Sequence, residues 1–119
     1  MVKYFFILRR RRDMNAEEFH RHWKTVHGPL VARLPGLVRY FQHHVVSIPR
    51  PEYKHDEAPV DGIVETWWES EEALVKVQSS PELQAVLADE KIFLGDSDHF
   101  VHTLHVTETV EIVSRPSST

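Results

Sequence analysis

The sequence contains no cysteine. Disulfides, thiolate-bound zinc, iron–sulfur clusters and cysteine nucleophiles are therefore excluded, and the fold must be held by packing alone. Glycine-rich phosphate loops, a Gly-x-Ser-x-Gly elbow and a Walker motif are also missing, so the sequence gives no support for a nucleotide cofactor. No run approaches the roughly 20 apolar residues that a membrane-spanning helix needs. We expect a protein that works without a cofactor and without a membrane partner.

Positive charge is also scarce, with 14 Lys and Arg against 18 Asp and Glu and a formal net charge of −4. A general affinity for nucleic acid needs a positive field, so a nucleic-acid partner is not expected. The basic run Arg9–Arg12 is more typical of a solvent-exposed segment after a strand than of a patch that binds an anion or nucleic acid. It follows the apolar run Val2–Leu8, the reverse of the order in a signal peptide, so we expect a cytoplasmic protein.

The 119 residues, of which 41% are hydrophobic, suffice for one domain with a real core. We expect this domain to span residues 1–113 and to end in a disordered tail over 114–119. Runs rich in β-branched and aromatic residues predict four strands. Their predicted ranges are Val2–Leu8, Leu37–Ile48, Asp61–Trp68 and Phe100–Ile112. A proline-rich, charged stretch over 49–60 predicts a surface loop.

Capping residues mark the predicted helices. Asn15, with Glu18 three residues later, predicts a first helix that ends near Pro35-Gly36. Its apolar face would comprise Phe19, Trp23, Val26, Leu30 and Leu34. Pro29 inside this stretch should kink the helix or divide it in two. Ser70 and Ser80-Pro81 predict two further helical starts.

The order of elements is β-α-β-β-α-β, which predicts an α+β, ferredoxin-like antiparallel sheet with helices on one face. The other face would be open. Alternation places Tyr40, Gln42 and His44 on one face of the second strand, and Ile63, Glu65 and Trp67 on one face of the third. We expect both sets to share the open face. Such a face is too apolar to stay exposed, so we expect a homodimer whose paired sheets enclose a cavity for a small-molecule ligand.

Nine histidines make proton transfer and metal binding worth testing. His27 lies one turn beyond Trp23, at the edge of the apolar stripe. A half-buried imidazole resists protonation and suits a general base, although such a histidine is, taken alone, more often a core residue bonded to a backbone carbonyl. His43 and His44 are adjacent and face opposite sides of a strand, which is poor geometry for a chelate. We expect no metal.

Several segments together resemble the EthD-domain family. They are the run from Phe19 through Trp23 to His27-Gly28-Pro29-Leu30, the Tyr-x-Gln-x-His pattern within Arg39–His44, the third strand Asp61–Trp68, the helix start Ser70–Ala73, and Asp89 with Phe93. The resemblance runs from Val2 to about Ile112. It implies a dimeric α/β barrel with a cavity for a small cyclic or aromatic compound.

The resemblance also implies site residues. The family's histidine matches His27, and its strand residues match Tyr40, Gln42 and His44, with Glu65 and Trp67 on the third strand and Phe93 near the last. We hypothesise that His27 or His44 moves a proton on the substrate.

The remaining residues would support this step. Tyr40 and Gln42 would donate hydrogen bonds to a carbonyl or enolate oxygen. Trp23 and Trp67 would form an apolar wall, to which Ile63 and Phe93 add. Glu65 would pair with a cation, orient His27 or His44, or carry a raised pKa.

The leading functional hypothesis is a cofactor-independent isomerase, dehydratase or cyclase that acts on a small cyclic, aromatic or polyketide-like compound. A cofactor-free monooxygenase of phenolic substrates and a non-catalytic binding protein are the alternatives. Thr66 stands where lactone isomerases of this type carry a thiol, so thiol-dependent chemistry is excluded.

Overall fold

The computed structural model describes residues 1–47, 60–94 and 100–117, with 100 and 101 described by their backbone alone. The strands are β1 (Val2–Leu8), β2 (Leu37–His44), β3 (Gly62–Trp68) and β4 (Phe100–Val106). The helices are α1 (Ala16–His22), α2 (Gly28–Val31), α3 (Glu71–Val77) and α4 (Pro81–Phe93). A π-helical turn, Trp23–His27, joins α1 to α2. The loop predicted over 49–60 lies outside the described residues except for its last position.

The four strands form one antiparallel sheet in the order β2-β3-β1-β4. This is the sheet order of the split βαβ arrangement, so the predicted ferredoxin-like α+β fold is confirmed. Buried residues of β3 alternate with partly exposed ones. The alternation shows that one sheet face carries the helices and that the other is open.

Each predicted cap is present. The side chain of Asn15 accepts from the Glu18 backbone N–H at 2.8 Å, and its amide donates back to the Glu18 carboxylate at 3.1 Å. Ser70 accepts from the backbone of Ala73, and Ser80 from that of Leu83, each at 3.1 Å. These bonds satisfy donors that a helix start leaves free, which is typically worth about 1 kcal/mol per cap.

The predicted interruption near Pro29 takes the form of the π-helical turn just before it. Pro29 has no N–H and cannot bond the carbonyl of Thr25, as an α-helix would require. The chain widens instead, and the N–H of Gly28 reaches the carbonyl of Trp23 five residues back. Trp23 and His27 are both buried in this turn. The widened turn thus brings a histidine into the layer between helices and sheet.

The core lies in that same layer, in two neighbouring clusters. One contains Leu8, Phe19, Trp23, Val64, Phe93 and Leu94. The other contains Val31, Leu34, Trp68, Val77 and Val86. Tyr40 packs against both clusters, so it stands at their junction.

Two strands end earlier than predicted. β4 stops at Val106, not Ile112, because Val106 pairs with Lys3 and β1 offers almost no chain beyond that point. The strand β2 stops at His44, which pairs with the first residue of β3, Gly62. Residues 107–117 carry no regular secondary structure. A strand therefore ends here where its partner ends, whatever its own composition favours.

Candidate active site

A cavity of about 240 Å³ lies between the helices and the covered face of the sheet. Most of its lining is Leu, Val, Phe and Trp. Its polar side chains are His27, Tyr40, Thr66, Gln78 and Glu90. The Thr66 hydroxyl already donates to the carbonyl of Tyr4 and accepts from the Trp68 indole, at 2.8 Å each. An apolar cavity with a few convergent polar groups is the usual form of a small-molecule site.

His27 is held by a carboxylate. Its Nδ1 lies 2.8 Å from Oδ2 of Asp89 on α4, and the residue is 4% exposed. The same carboxylate accepts from Nε2 of His22, at 2.9 and 3.1 Å. Because a carboxylate only accepts, Nδ1 of His27 carries the hydrogen in this assignment, and Nε2 is left with its lone pair. A histidine held in this tautomer can act as a base through Nε2.

The pKa of His27 lies below its ordinary value of 6.5. Burial is the main cause, because it disfavours the imidazolium, and the hydrogen bond and charge of Asp89 offset it in part. This downward shift of the pKa favours a neutral imidazole at pH 7.

Glu90 lines the cavity beside this pair and is 8% exposed. Burial, together with the neighbouring charge of Asp89, raises its pKa to about 7. A substantial fraction of Glu90 is therefore protonated near neutral pH and can donate a proton. In one cavity, the pKa of a histidine is lowered and that of a glutamate is raised, which is the pattern of an acid–base pair.

Tyr40 contributes a hydroxyl to the same cavity. Burial raises its pKa above 10.0, and the hydrogen bond from Gln42 offsets this in part. The phenol is therefore neutral at pH 7 and can donate a hydrogen bond. His27, Glu90 and Tyr40 thus supply a base, an acid and a neutral donor.

The prediction that six residues share the open face is wrong. Tyr40 pairs with Thr66 across the strands and Phe41 pairs with Glu65, and directly opposed residues share a face. Tyr40, Gln42 and His44 therefore lie on the helix-covered face. Ile63, Glu65 and Trp67 lie on the open one. Alternation fixed each set correctly, but the register between the strands was not available from the sequence.

Glu65 belongs to a polar cluster on the open face. It accepts from Nε1 of Trp67 at 2.7 Å and from Nε2 of His43 at 3.0 Å. Lys3 and Arg39 lie 4.1 and 4.6 Å from the centre of the Trp67 ring. Burial raises the pKa of Glu65, but these two hydrogen bonds and the charges of His43 and Lys3 outweigh it and lower the pKa. Of the roles predicted for Glu65, the raised pKa is wrong, and His27 and His44 are not its partners.

The other predicted site residues surround the cavity without lining it. Trp23 is fully buried in the core, and the His44 ring lies 4.3 Å from it. The Phe93 ring is also fully buried, 4.6 Å from the ring of His27. Gln42 contacts Tyr40 and the Trp23 carbonyl. These residues support the groups that line the cavity.

The interpretation of the sequence missed Glu90 and gave Asp89 no role. The signal was present, since Glu90 follows Val86 and Leu87 at helical spacing and so extends the apolar stripe of α4. A carboxylate on the buried side of a helix is costly unless it is paired or protonated.

No three His, Asp or Glu side chains are grouped so as to hold a metal ion in the part of the chain that the structure describes. In the same part, no helix is long and apolar enough to cross a membrane.

The fold and cavity define a ferredoxin-like α+β domain with two buried titratable side chains, His27 and Glu90, at a cavity between sheet and helices. The family model of the EthD domain matches residues 11–97, and the chain belongs to this family. A search of curated proteins finds no match.

Solved structures with the same fold include an EthD family protein from Bacillus halodurans, with a TM-score of 0.69 and 20% identity over 92% of this chain and 100% of that chain. HapK from Hahella chejuensis has a TM-score of 0.69 and 14% identity, with 98% and 100% covered. A dimeric ferredoxin-like protein of unknown function from Thermobifida fusca has a TM-score of 0.58 and 15% identity, with 88% and 86% covered. At these identities the similarity concerns the fold alone.

Proposed function

We propose that the protein is a cofactor-independent acid–base enzyme that acts on a small, uncharged cyclic compound. The observation that carries the proposal is the His27–Asp89 pair beside Glu90 in one apolar cavity. Isomerisation, dehydration and cyclisation of cyclic ketones, lactones or polyketide-like compounds all begin with the removal of a proton next to a carbonyl. A fixed neutral histidine suits this step.

The reaction would transfer one proton from the ligand to His27 and a second proton from Glu90 to the ligand. Nε2 of His27 takes a proton from the carbon next to a carbonyl, and the bonding pair moves into the enolate. Asp89 stabilises the resulting imidazolium through Nδ1. Tyr40 donates a hydrogen bond to the enolate oxygen as charge develops there. Glu90, in its protonated form, delivers a proton at the product carbon or to a departing hydroxyl. His27 then releases its proton to water and Glu90 takes one up, so that both groups return to their starting states.

The cavity also limits the ligand. A volume of about 240 Å³ is slightly below the usual range for drug-sized ligands, so it fits one ring with small substituents. Its lining contains no Lys or Arg among the described residues. A carboxylate or phosphate on the ligand would find no counter-ion there to offset the cost of its desolvation. We therefore infer a neutral compound that carries a carbonyl or phenol oxygen.

Deuterium exchange tests the proposal without knowledge of the product. The protein is incubated in D₂O with a panel of cyclohexenones, lactones and hydroxylated aromatic ketones, and deuterium at the carbon next to the carbonyl is followed by NMR. Accelerated exchange by the wild type and its loss in His27→Gln support the proposal. His105→Gln serves as a control, because His105 is exposed on β4, does not line the cavity and does not lie on the open face. Binding of a panel compound without any exchange would favour a binding protein instead.

A homodimer through the open sheet face is the second part of the proposal. This face carries Phe5, Ile7, Ile63 and Trp67, and Leu104 is 44% exposed beside Phe5. Apolar side chains on an exposed sheet face, here interrupted by the polar cluster around Glu65, are typical of an interface. One structurally similar protein is dimeric. Because the acid–base cavity lies on the opposite side of the sheet, each subunit would hold a complete site.

A further inference from the structure

The amide of Gln42 bridges β2 and the π-helical turn. Its Nε2 lies 2.8 Å from the carbonyl oxygen of Trp23 and 2.7 Å from the hydroxyl oxygen of Tyr40. A backbone carbonyl only accepts, so it fixes which end of the amide faces the turn. Both amide hydrogens are then used, one toward Trp23 and one toward Tyr40. The Tyr40 oxygen accepts this bond, and its own hydrogen is left to point elsewhere.

Gly28 provides the space for this arrangement. A Cβ at Gly28 would lie 3.2 Å from Nε2 of Gln42, closer than such atoms normally approach. The N–H of Gly28 bonds the same Trp23 carbonyl through the widened turn. The π-helical turn and the glycine together therefore bring the carbonyl and the amide into contact.

The other end of the amide reaches the exposed His44 and, through it, the partly buried His20. Oε1 of Gln42 lies 2.9 Å from Nε2 of His44, and Nδ1 of His44 lies 2.7 Å from Nδ1 of His20 on α1. Because Oε1 only accepts, Nε2 of His44 must carry a hydrogen. A neutral His44 then accepts at Nδ1 from the N–H of His20. In each hydrogen bond from His20 through His44 and Gln42 to Tyr40, the donor is consequently the group nearer His20.

We infer that Gln42 is a positioning residue that fixes the Tyr40 hydroxyl as a hydrogen-bond donor toward the cavity, and that His44 and His20 extend this control to the protein surface. The inference rests on the proposed function, since it assigns the donor that would face an enolate oxygen. It also assigns Gln42 a role other than direct contact with the ligand.

This series of hydrogen bonds makes the environment of the Tyr40 hydroxyl depend on the protonation of His44. The charged groups that face His44 are His20 from α1 and Lys24 from the π-helical turn. Burial lowers the pKa of His44, and the charges of His20 and Lys24 lower it further. Protonation of His44 at Nδ1 removes the acceptor for His20 and strengthens the donor toward Gln42. The resonance of Tyr40 should therefore move as His44 titrates.

The test uses the ligand-free protein, with ¹³Cζ-labelled tyrosine and ¹⁵N-labelled histidine, in an NMR titration. Comparison with Tyr40→Phe assigns the Tyr40 signal. We expect His44 in the Nε2–H tautomer and a step in the Tyr40 signal at the pH where His44 titrates. The charge of Glu90 also acts on Tyr40, so the titration is repeated in Glu90→Gln, where this step should persist. In Gln42→Glu the carboxylate accepts from the Tyr40 hydroxyl and disfavours the phenolate. We expect the Tyr40 titration to move upward by about one pH unit or more.

Two further variants make the test decisive. Gln84→Glu makes the same change at an exposed position of α4 and should leave Tyr40 unchanged. His44→Phe keeps a ring against Trp23 and removes the N–H, so the step in the Tyr40 signal should vanish while the fold persists. An unchanged Tyr40 titration in folded Gln42→Glu, or His44 in the Nδ1–H tautomer, would overturn the inference. Since no turnover is measured, this result is independent of whether the cavity is catalytic.

Discussion

Nδ1 of His27 lies 2.8 Å from Oδ2 of Asp89, and this bond joins the π-helical turn to α4. The two residues come from segments 62 positions apart in the chain. Their contact depends on the widened turn, which buries His27, and on the packing of α4 against the sheet. The π-helical turn therefore places His27 at the wall of the cavity, and Asp89 fixes its hydrogen on Nδ1.

Asp89→Asn should reverse that tautomer. The new amide can donate to Nδ1, so that the hydrogen of His27 moves to Nε2 and the base toward the ligand is lost. We expect deuterium exchange on a responsive panel compound to fall by about 10²-fold or more, as comparable changes at histidine–carboxylate pairs do. ¹⁵N NMR of the histidines reports the tautomer.

Asp13→Asn is the matched control for this change, because Asp13 is exposed and pairs only with Arg11 among the described residues. Unchanged exchange in Asp89→Asn, with the new tautomer confirmed, would show that Nε2 of His27 is not the base.

Glu90→Gln should change how stability depends on pH. The pKa of Glu90 rises from 4.5 in the unfolded chain to about 7 in the fold. The folded state therefore binds more protons between these values, and Glu90 lowers stability progressively as the pH rises through that window. Above pH 7 the full loss in the free energy of unfolding is on the order of 3 kcal/mol. The amide introduced by the substitution cannot ionise, so this loss should be absent in the variant.

Urea unfolding at pH 5 and at pH 8 measures the effect. The variant should gain stability relative to wild type at pH 8 and not at pH 5. Glu82→Gln, in the first turn of α4, is the control. Equal differences at both pH values would mean that Glu90 ionises normally in the fold.

Gly62→Ala should destabilise the fold. A Cβ at Gly62 would lie 2.5 Å from two ring carbons of Trp23, which is fully buried and cannot withdraw. We expect a loss of about 1–3 kcal/mol in the free energy of unfolding, as for other overpacked cores. At Gly28 the nearest obstacle is the end of the Gln42 side chain, 3.2 Å away. Gly28→Ala should therefore cost less, and a reversed order would contradict this description of the packing.

The sequence predicted most of the fold and about half of the candidate site. Caps at Asn15, Ser70 and Ser80 are local signals, and the three helices that follow them begin as predicted. The register that separates Tyr40 from Glu65 is not local, because it depends on how β2 and β3 align. His27 could be found from its place on an apolar stripe. Its partnership with Asp89 could not, since it depends on tertiary packing between α4 and the π-helical turn.

Leu104→Arg tests the proposed dimer. Leu104 is on the open face opposite Phe5, so a buried charge there would oppose association of two sheets. In sedimentation experiments we expect a wild-type dimer and at least about a tenfold weaker dimer for the variant, which corresponds to about 1.4 kcal/mol. Val75→Arg on α3, which is 72% exposed, is the control and should not alter association. A wild-type monomer at micromolar concentration would exclude the interface.

The central claim is that a neutral histidine and a protonatable carboxylic acid share one cavity near pH 7. A single NMR titration of ligand-free protein, with ¹⁵N-labelled histidine and ¹³Cδ-labelled glutamate, tests it most directly. We predict that Glu90 titrates near 7, and that His27 titrates below its ordinary pKa of 6.5 and is the Nδ1–H tautomer when neutral. Titration of Glu90 near 4.5, with His27 at or above its ordinary value, would contradict the account.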